Sequence, residues 1–222
     1  IQAVMVFVVP PLTTHLSARH LSPVEVLRSI FGNPSARTGL AFSAVLMLGH
    51  FTIIPFIAPY MVGNVGLSEK QLALIYLTGG SCTLVFSPWV GKMADKYGRL
   101  KIFTIFGFLV LIPIITITNL MPVPLWMVLL IAGVFFTFSN GRMVPSTTME
   151  TAIIKPENRG SYMSIRSSVQ QLASGVAAFI AGLIITEGPS TFGPQAKALH
   201  NYQYVGMIAV GFSLFSLWIA RK

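Results

Sequence analysis

The sequence predicts an all-α integral membrane protein built as a six-transmembrane-helix bundle. Three observations carry that reading. Of the 222 residues, 54% are hydrophobic and only 9% are charged, with a mean hydropathy of +0.74. Ordinary soluble domains carry roughly 25% charged residues, so a water-facing surface cannot be covered here. Six apolar segments have the length of a bilayer-crossing helix. The loops between them are alternately basic and nearly uncharged.

The chain opens with the apolar run Ile1 to Leu12, too short to span the ~20 residues a bilayer needs. It lacks the basic start and small-residue cleavage site of a signal peptide. Residues 1–12 therefore read as the end of a preceding transmembrane helix in a longer protein. Residues 13–37 read as a cytoplasmic linker. Within it, Ser22-Pro23-Val24-Glu25 offers an N-cap, a proline at the first helical position and a capping-box glutamate. Val24, Leu27, Ile30 and Phe31 recur at helical spacing, and Gly32-Asn33-Pro34 closes the segment. This predicts a short amphipathic helix on the membrane surface.

The six spans are Thr38 to Val62, Gln71 to Val90, Ile102 to Thr118, Leu125 to about Thr148, Tyr162 to Thr186 and Tyr202 to Ala220. Together they make residues 38–222 one bundle. Helices satisfy every backbone group internally, which lipid demands. A barrel would show many alternating stretches of about ten residues instead. The longest outer loop, Gly188 to Asn201, is rich in Gly, Pro and Ser and is expected to be irregular. Ala173, Ala177 and Ala181, beside Ser174, Ala178 and Gly182, form small-residue ridges suited to close helix contact in lipid.

Charge sets an expected orientation. Arg19, Arg28, Arg37, Lys92, Lys96, Arg99, Lys101, Lys155, Arg159, Arg166, Arg221 and Lys222 fall on one side. Lys70 and Lys197 fall on the other, and Arg142 lies within the fourth span. The positive-inside rule places the basic side and the C-terminus in the cytoplasm. The net charge of +9 is thus a matter of topology, and no nucleic-acid partner is expected. Cys82 is the single cysteine, so no intrachain disulfide forms, and metal-ligand spacings are absent from the sequence.

Between the second and third spans stands Gly91-Lys92-Met93-Ala94-Asp95-Lys96-Tyr97-Gly98-Arg99-Leu100-Lys101. It resembles the G-x-x-x-D-x-x-G-R-x-K/R loop signature of the major facilitator superfamily. Gly91 suits a close helix approach, Gly98 a tight turn. Asp95 suits hydrogen bonding at a helix N-terminus, and Arg99 suits pairing with Asp95 or with lipid phosphates. Pro156-Glu157-Asn158-Arg159-Gly160 is a second similar loop. The signature occurs once, among six spans, so the chain resembles one half of the family's twelve-helix fold. The basic linker makes that the C-terminal half. His50 to Phe56 and Gly141 to Pro145 are similar to bacterial sugar-efflux or drug-efflux members.

The resemblance implies two inverted three-helix repeats, Thr38 to Thr118 and Leu125 to Ala220, in a bundle that rocks against an N-terminal six-helix half. Its implied partners are that half, the lipid bilayer and a small-molecule substrate; no cofactor is expected. The implied function is secondary active transport in a cell inner membrane, as proton-coupled efflux of a small organic solute. An uptake permease or facilitator of the same family is the alternative. A channel would show a filter or selectivity ring. An intramembrane enzyme would show clustered ligands or a nucleophile with its base. The sequence displays neither.

Polar residues deep in lipid are the candidates for the substrate and proton pathway. His50 lies twelve residues into the first span, roughly 18 Å along a helix and so near the midplane. Its unperturbed pKa of about 6.5 suits proton handling; a structural histidine bonded to a carbonyl is the competing reading. Pro55 and Pro59 follow and loosen the helix, and Tyr60 is expected as an interfacial anchor. Gln170 and Gln171 lie mid-span, one expected to face the pore and one the bundle, with interhelical bonding as the alternative. Asn140, Arg142 and Glu150 crowd the fourth span. Arg142 either snorkels or acts as the buried arginine that the resemblance suggests. Gly91, Asp95, Gly98 and Arg99 are the expected conformational-switch loop.

Overall fold

The computed structural model describes residues 23–154, 156–193 and 196–221. The expected helix end at residues 1–12, the linker up to residue 22 and the Ser22 cap lie outside the described residues.

The short helix expected ahead of the first span forms as α1, Pro23–Gly32. Asn33 then caps the first span, its Oδ1 accepting from the backbone N–H of Ser35 (3.0 Å) and Ala36 (3.4 Å), with Pro34 at the first helical position. The span is broken into α2, Pro34–Phe51, and α3, Ile54–Gly63. Pro55 lacks the N–H that would bond back to Phe51, so the ladder fails one turn earlier, at Thr52 and Ile53. The Tyr202 hydroxyl donates to the Ile53 carbonyl at the break (3.0 Å). The second span is α4, Glu69–Tyr97, opened by Gln71 accepting from the Ser68 N–H (2.9 Å). The third breaks at Val110, ahead of Pro113, into α5, Arg99–Leu109, and α6, Leu111–Thr118. The fourth is α7, Leu125–Ala152, the fifth α8, Arg159–Ile184, and the sixth α9, Tyr202–Ile219. All six are long and apolar enough to cross a membrane.

The packing is symmetric. α7 packs on α4 and α5, while α2 packs on α8 and α9; α9 also meets α5 and α6. Exchanging spans one with four, two with five and three with six maps this pattern onto itself. Spans one and four run in opposite directions, so the pattern is the one inverted repeats require. The ridge Ala173, Ala177 and Ala181 is buried, and Gly39 on α2 makes room for the Tyr162 hydroxyl of α8.

The outer loop expected to be irregular is a hairpin, β1 Thr186–Pro189 paired antiparallel with β2 Lys197–His200. Tertiary contacts override its turn-rich composition. The Asn64 side chain imitates a strand edge, donating to the Leu199 carbonyl (3.0 Å) and accepting its N–H (2.8 Å). Ser190 donates to the Gly63 carbonyl (2.6 Å). Tyr60 is likewise no interfacial anchor: it is buried, donating to the Leu120 carbonyl (3.1 Å) with its ring 4.7 Å from that of Tyr202.

The core differs between the two ends. Toward the hairpin one continuous apolar cluster runs from Ile53 to Ala209. Toward the basic loops the apolar core is divided into three smaller clusters, around Leu40, Leu46 and Phe106. What divides them is polar.

Candidate functional site

Phe135, Ser139, Arg142, Ser146 and Glu150 recur at helical spacing on one face of α7, and all are buried. Ser43 and His50, two turns apart on α2, lie across from this stripe; Ser213 and Ser216 approach from α9, Tyr162 and Arg166 from α8. The result is a polar seam inside the bundle, between the spans that the repeat symmetry relates.

At its basic end Arg166 clasps Glu150 with two hydrogen bonds, one from Nε to Oε2 and one from Nη2 to Oε1 (3.1 Å). Nη2 also reaches Thr147 Oγ1 (3.4 Å). Both residues are buried. Ser43 Oγ lies close to the carboxylate without a well-formed hydrogen bond. Further in, Arg142 is 1% exposed and its Nη1 donates to Ser213 Oγ (2.9 Å). It does not snorkel. His50 is half-buried, its ring stacked on that of Phe135 at 6.4 Å, and it lies within electrostatic range of Arg142. The carbonyl bond of the competing reading is not made at Nδ1, which is enclosed and without a partner. Among the described residues the buried side-chain atoms lacking hydrogen bonds are Ser43 Oγ, His50 Nδ1, Ser139 Oγ, Arg142 Nε and Tyr162 Oη. Each belongs to this seam. Native interiors leave few such groups, so their concentration in this seam sets it apart from the rest of the core.

The remaining candidates lie elsewhere. Asn140 points away from the seam and donates to Ser87 Oγ on α4; that hydroxyl donates to the Thr83 carbonyl. This ties two spans together, so Asn140→Ala is expected to cost about 1 kcal/mol. Thermal unfolding of Asn140→Ala, Ser87→Ala and the double variant checks this, the double costing no more than the larger single. Gln170 is half-buried and Gln171 exposed on α8.

The loop signature is spread over a helix end. Gly98 takes φ +96°, a conformation glycine tolerates, and separates α4 from α5. Asp95 is exposed in the last turn of α4, not at a helix N-terminus of this bundle, and has no hydrogen-bond or ionic partner among the described residues. Arg99 Nη1 donates to the Thr148 carbonyl of α7 (3.3 Å) rather than to Asp95. A methyl group on Gly91 would meet open space, so no neighbour within this bundle approaches it closely.

In the sequence Arg166 counts only toward the charge of the basic side. The missed signal is its register: Tyr162 and Arg166 continue the stripe of Ala173, Ala177 and Ala181 back toward the helix start.

Six spans, two of them proline-broken, around an internal polar seam define a multi-pass α-helical membrane protein. The sequence profile of the Major Facilitator Superfamily matches residues 40–222, and the chain belongs to that family of membrane transporters. It is 25% identical over 196 residues to YbcL of Bacillus subtilis (strain 168), described as an uncharacterized MFS-type transporter. That match takes in 87% of this chain and 47% of the relative, so the chain spans about half the relative's length.

Proposed function

We propose that this chain is the C-terminal six-helix half of a secondary active transporter that exports a small organic solute, sugar-like or drug-like, by alternating access coupled to protons. The observation that carries the reading is the uneven covering of the spans. Only 17% of the apolar window of α4 and of α8 is buried, against 39–50% for the other four. Those two spans are equivalent under the repeat symmetry and leave matching open faces, where a second bundle would form the opposite wall of a cavity. The match to half of a relative's length agrees with a second bundle. The open space at Gly91 and the unpaired Asp95 agree with a loop signature that is met by a helix of that bundle. The concentration of Lys and Arg in alternate loops supports a cytoplasmic C-terminus in an inner membrane.

Proton coupling is assigned to His50, which stands one turn from the break in the first span, beside the seam. The full-length protein in proteoliposomes tests both levels. An imposed proton gradient is expected to drive solute uphill, and a protonophore to abolish this; flux that only equalises concentrations supports the facilitator instead. His50→Gln is expected to reduce gradient-driven transport at least tenfold while solute exchange without a gradient persists. Gradient-driven transport by the variant at the wild-type rate removes His50 from the coupling path.

A further inference from the structure

We infer that Arg142 holds a small monovalent inorganic anion, of chloride's size, inside the bundle between α2, α7 and α9. A guanidinium keeps its proton in proteins, and a buried charge without a counter-charge is among the most costly features a fold can carry. No carboxylate supplies that counter-charge among the described residues. Glu150 lies eight residues along the same helix, about 12 Å by helical rise, and both of its oxygens are taken by Arg166. The facing stretches, 43–50 of α2 and 206–216 of α9, contain no Asp or Glu. Asp95 is exposed at the basic end, while Glu69 and Glu187 belong to the hairpin end.

The groups around Arg142 are those that hold a halide. Its Nε is a buried donor with no acceptor, and Ser139 Oγ, one turn away on the same face, is also unpartnered. Ser213 Oγ accepts from Nη1 and keeps its own proton to give. His50 Nδ1, unpartnered and within electrostatic range, donates in the tautomer that carries its proton there. One guanidinium balances one negative charge, which favours a monovalent ion over sulfate or phosphate. Arg142 is 1% exposed although α4 and α8 leave one side of the bundle uncovered. An organic solute therefore does not reach it from that side, and the occupant is small.

Thermal unfolding of the purified full-length protein tests the site, and its outcome is independent of whether the protein transports. Sodium chloride, bromide and gluconate are compared at equal ionic strength. The expected melting temperature is roughly 5 °C higher in either halide than in gluconate, saturating with concentration. Arg142→Gln, which needs no counter-ion, is expected to remove the difference. Should that variant fail to fold, Ser139→Ala is expected to raise the half-saturating chloride concentration about fivefold. Equal melting temperatures of the wild-type protein in halide and gluconate would overturn the proposal. So would a halide effect unchanged in both variants, or a higher melting temperature in gluconate, which carries a carboxylate, than in either halide.

Discussion

Arg166→Met is expected to destabilise the full-length protein by about 3–5 kcal/mol, and adding Glu150→Leu to restore most of that loss. The single change leaves a carboxylate buried at 1% exposure, without the two hydrogen bonds that now satisfy it. The double change removes both charges and replaces them with apolar volume, which interiors accept. The effect is large because of where the pair stands. α7 and α8 hardly touch along their length, so the clasp is the principal tie between the fourth and fifth spans at the basic end. It also sits where the apolar core is divided into small clusters, with little packing to compensate. Chemical denaturation in detergent, with all variants on one purification, measures the two differences. A single variant as stable as the wild type, or a double variant as damaged as the single, would show that the pair contributes nothing specific.

The architecture was legible because the bilayer imposes it. Twenty apolar residues in lipid have few structures open to them, so span count and approximate span limits follow from hydropathy. The breaks were legible at Pro55, since a missing N–H acts locally. The hairpin was not. Its strands are four residues each, drawn from a Gly- and Pro-rich loop. They form because Asn64, more than a hundred residues earlier, supplies a backbone-like edge. No local pattern carries such a contact. The site was legible in part. His50 and Arg142 stood out because isolated polar residues in lipid are costly, but burial alone did not say what they face. Arg142 faces Ser213 on the sixth span, Asn140 faces Ser87 on the second, and residues two apart on one helix thus serve different neighbours. The serines of the seam were invisible for another reason. A buried hydroxyl on a helix ordinarily bonds back to its own backbone, as Ser146 does to the Met143 carbonyl and Ser216 to that of Ser213. Ser43, Ser139 and Ser213 break that habit, and nothing in the sequence distinguishes them from the others.

Two glycines, one outside the loop signature and one within it, are expected to separate packing from movement. Gly63→Ala is expected to cost about 3 kcal/mol. Its new methyl would lie 1.9 Å from the Lys197 carbonyl oxygen and 2.7 Å from the carbonyl carbon. Both are backbone atoms, so no side-chain rotation relieves the clash. The hairpin must retreat from the end of α3, and the retreat strains the Asn64 bonds to Leu199 and the Ser190 bond to Gly63. Gly91→Ala meets nothing within this bundle, and alanine is the better helix former by about 1 kcal/mol. Its stability is therefore expected to equal or exceed the wild type. If the loop signature meets the second bundle during the transport cycle, the same methyl is expected to slow solute exchange about tenfold, with solute affinity unchanged. Denaturation curves, equilibrium binding and exchange rates on the two variants in the full-length protein check each half of the expectation. Wild-type exchange by Gly91→Ala would remove the inter-bundle role of that glycine, and an undisturbed Gly63→Ala would mean that the hairpin does not hold the end of the first span.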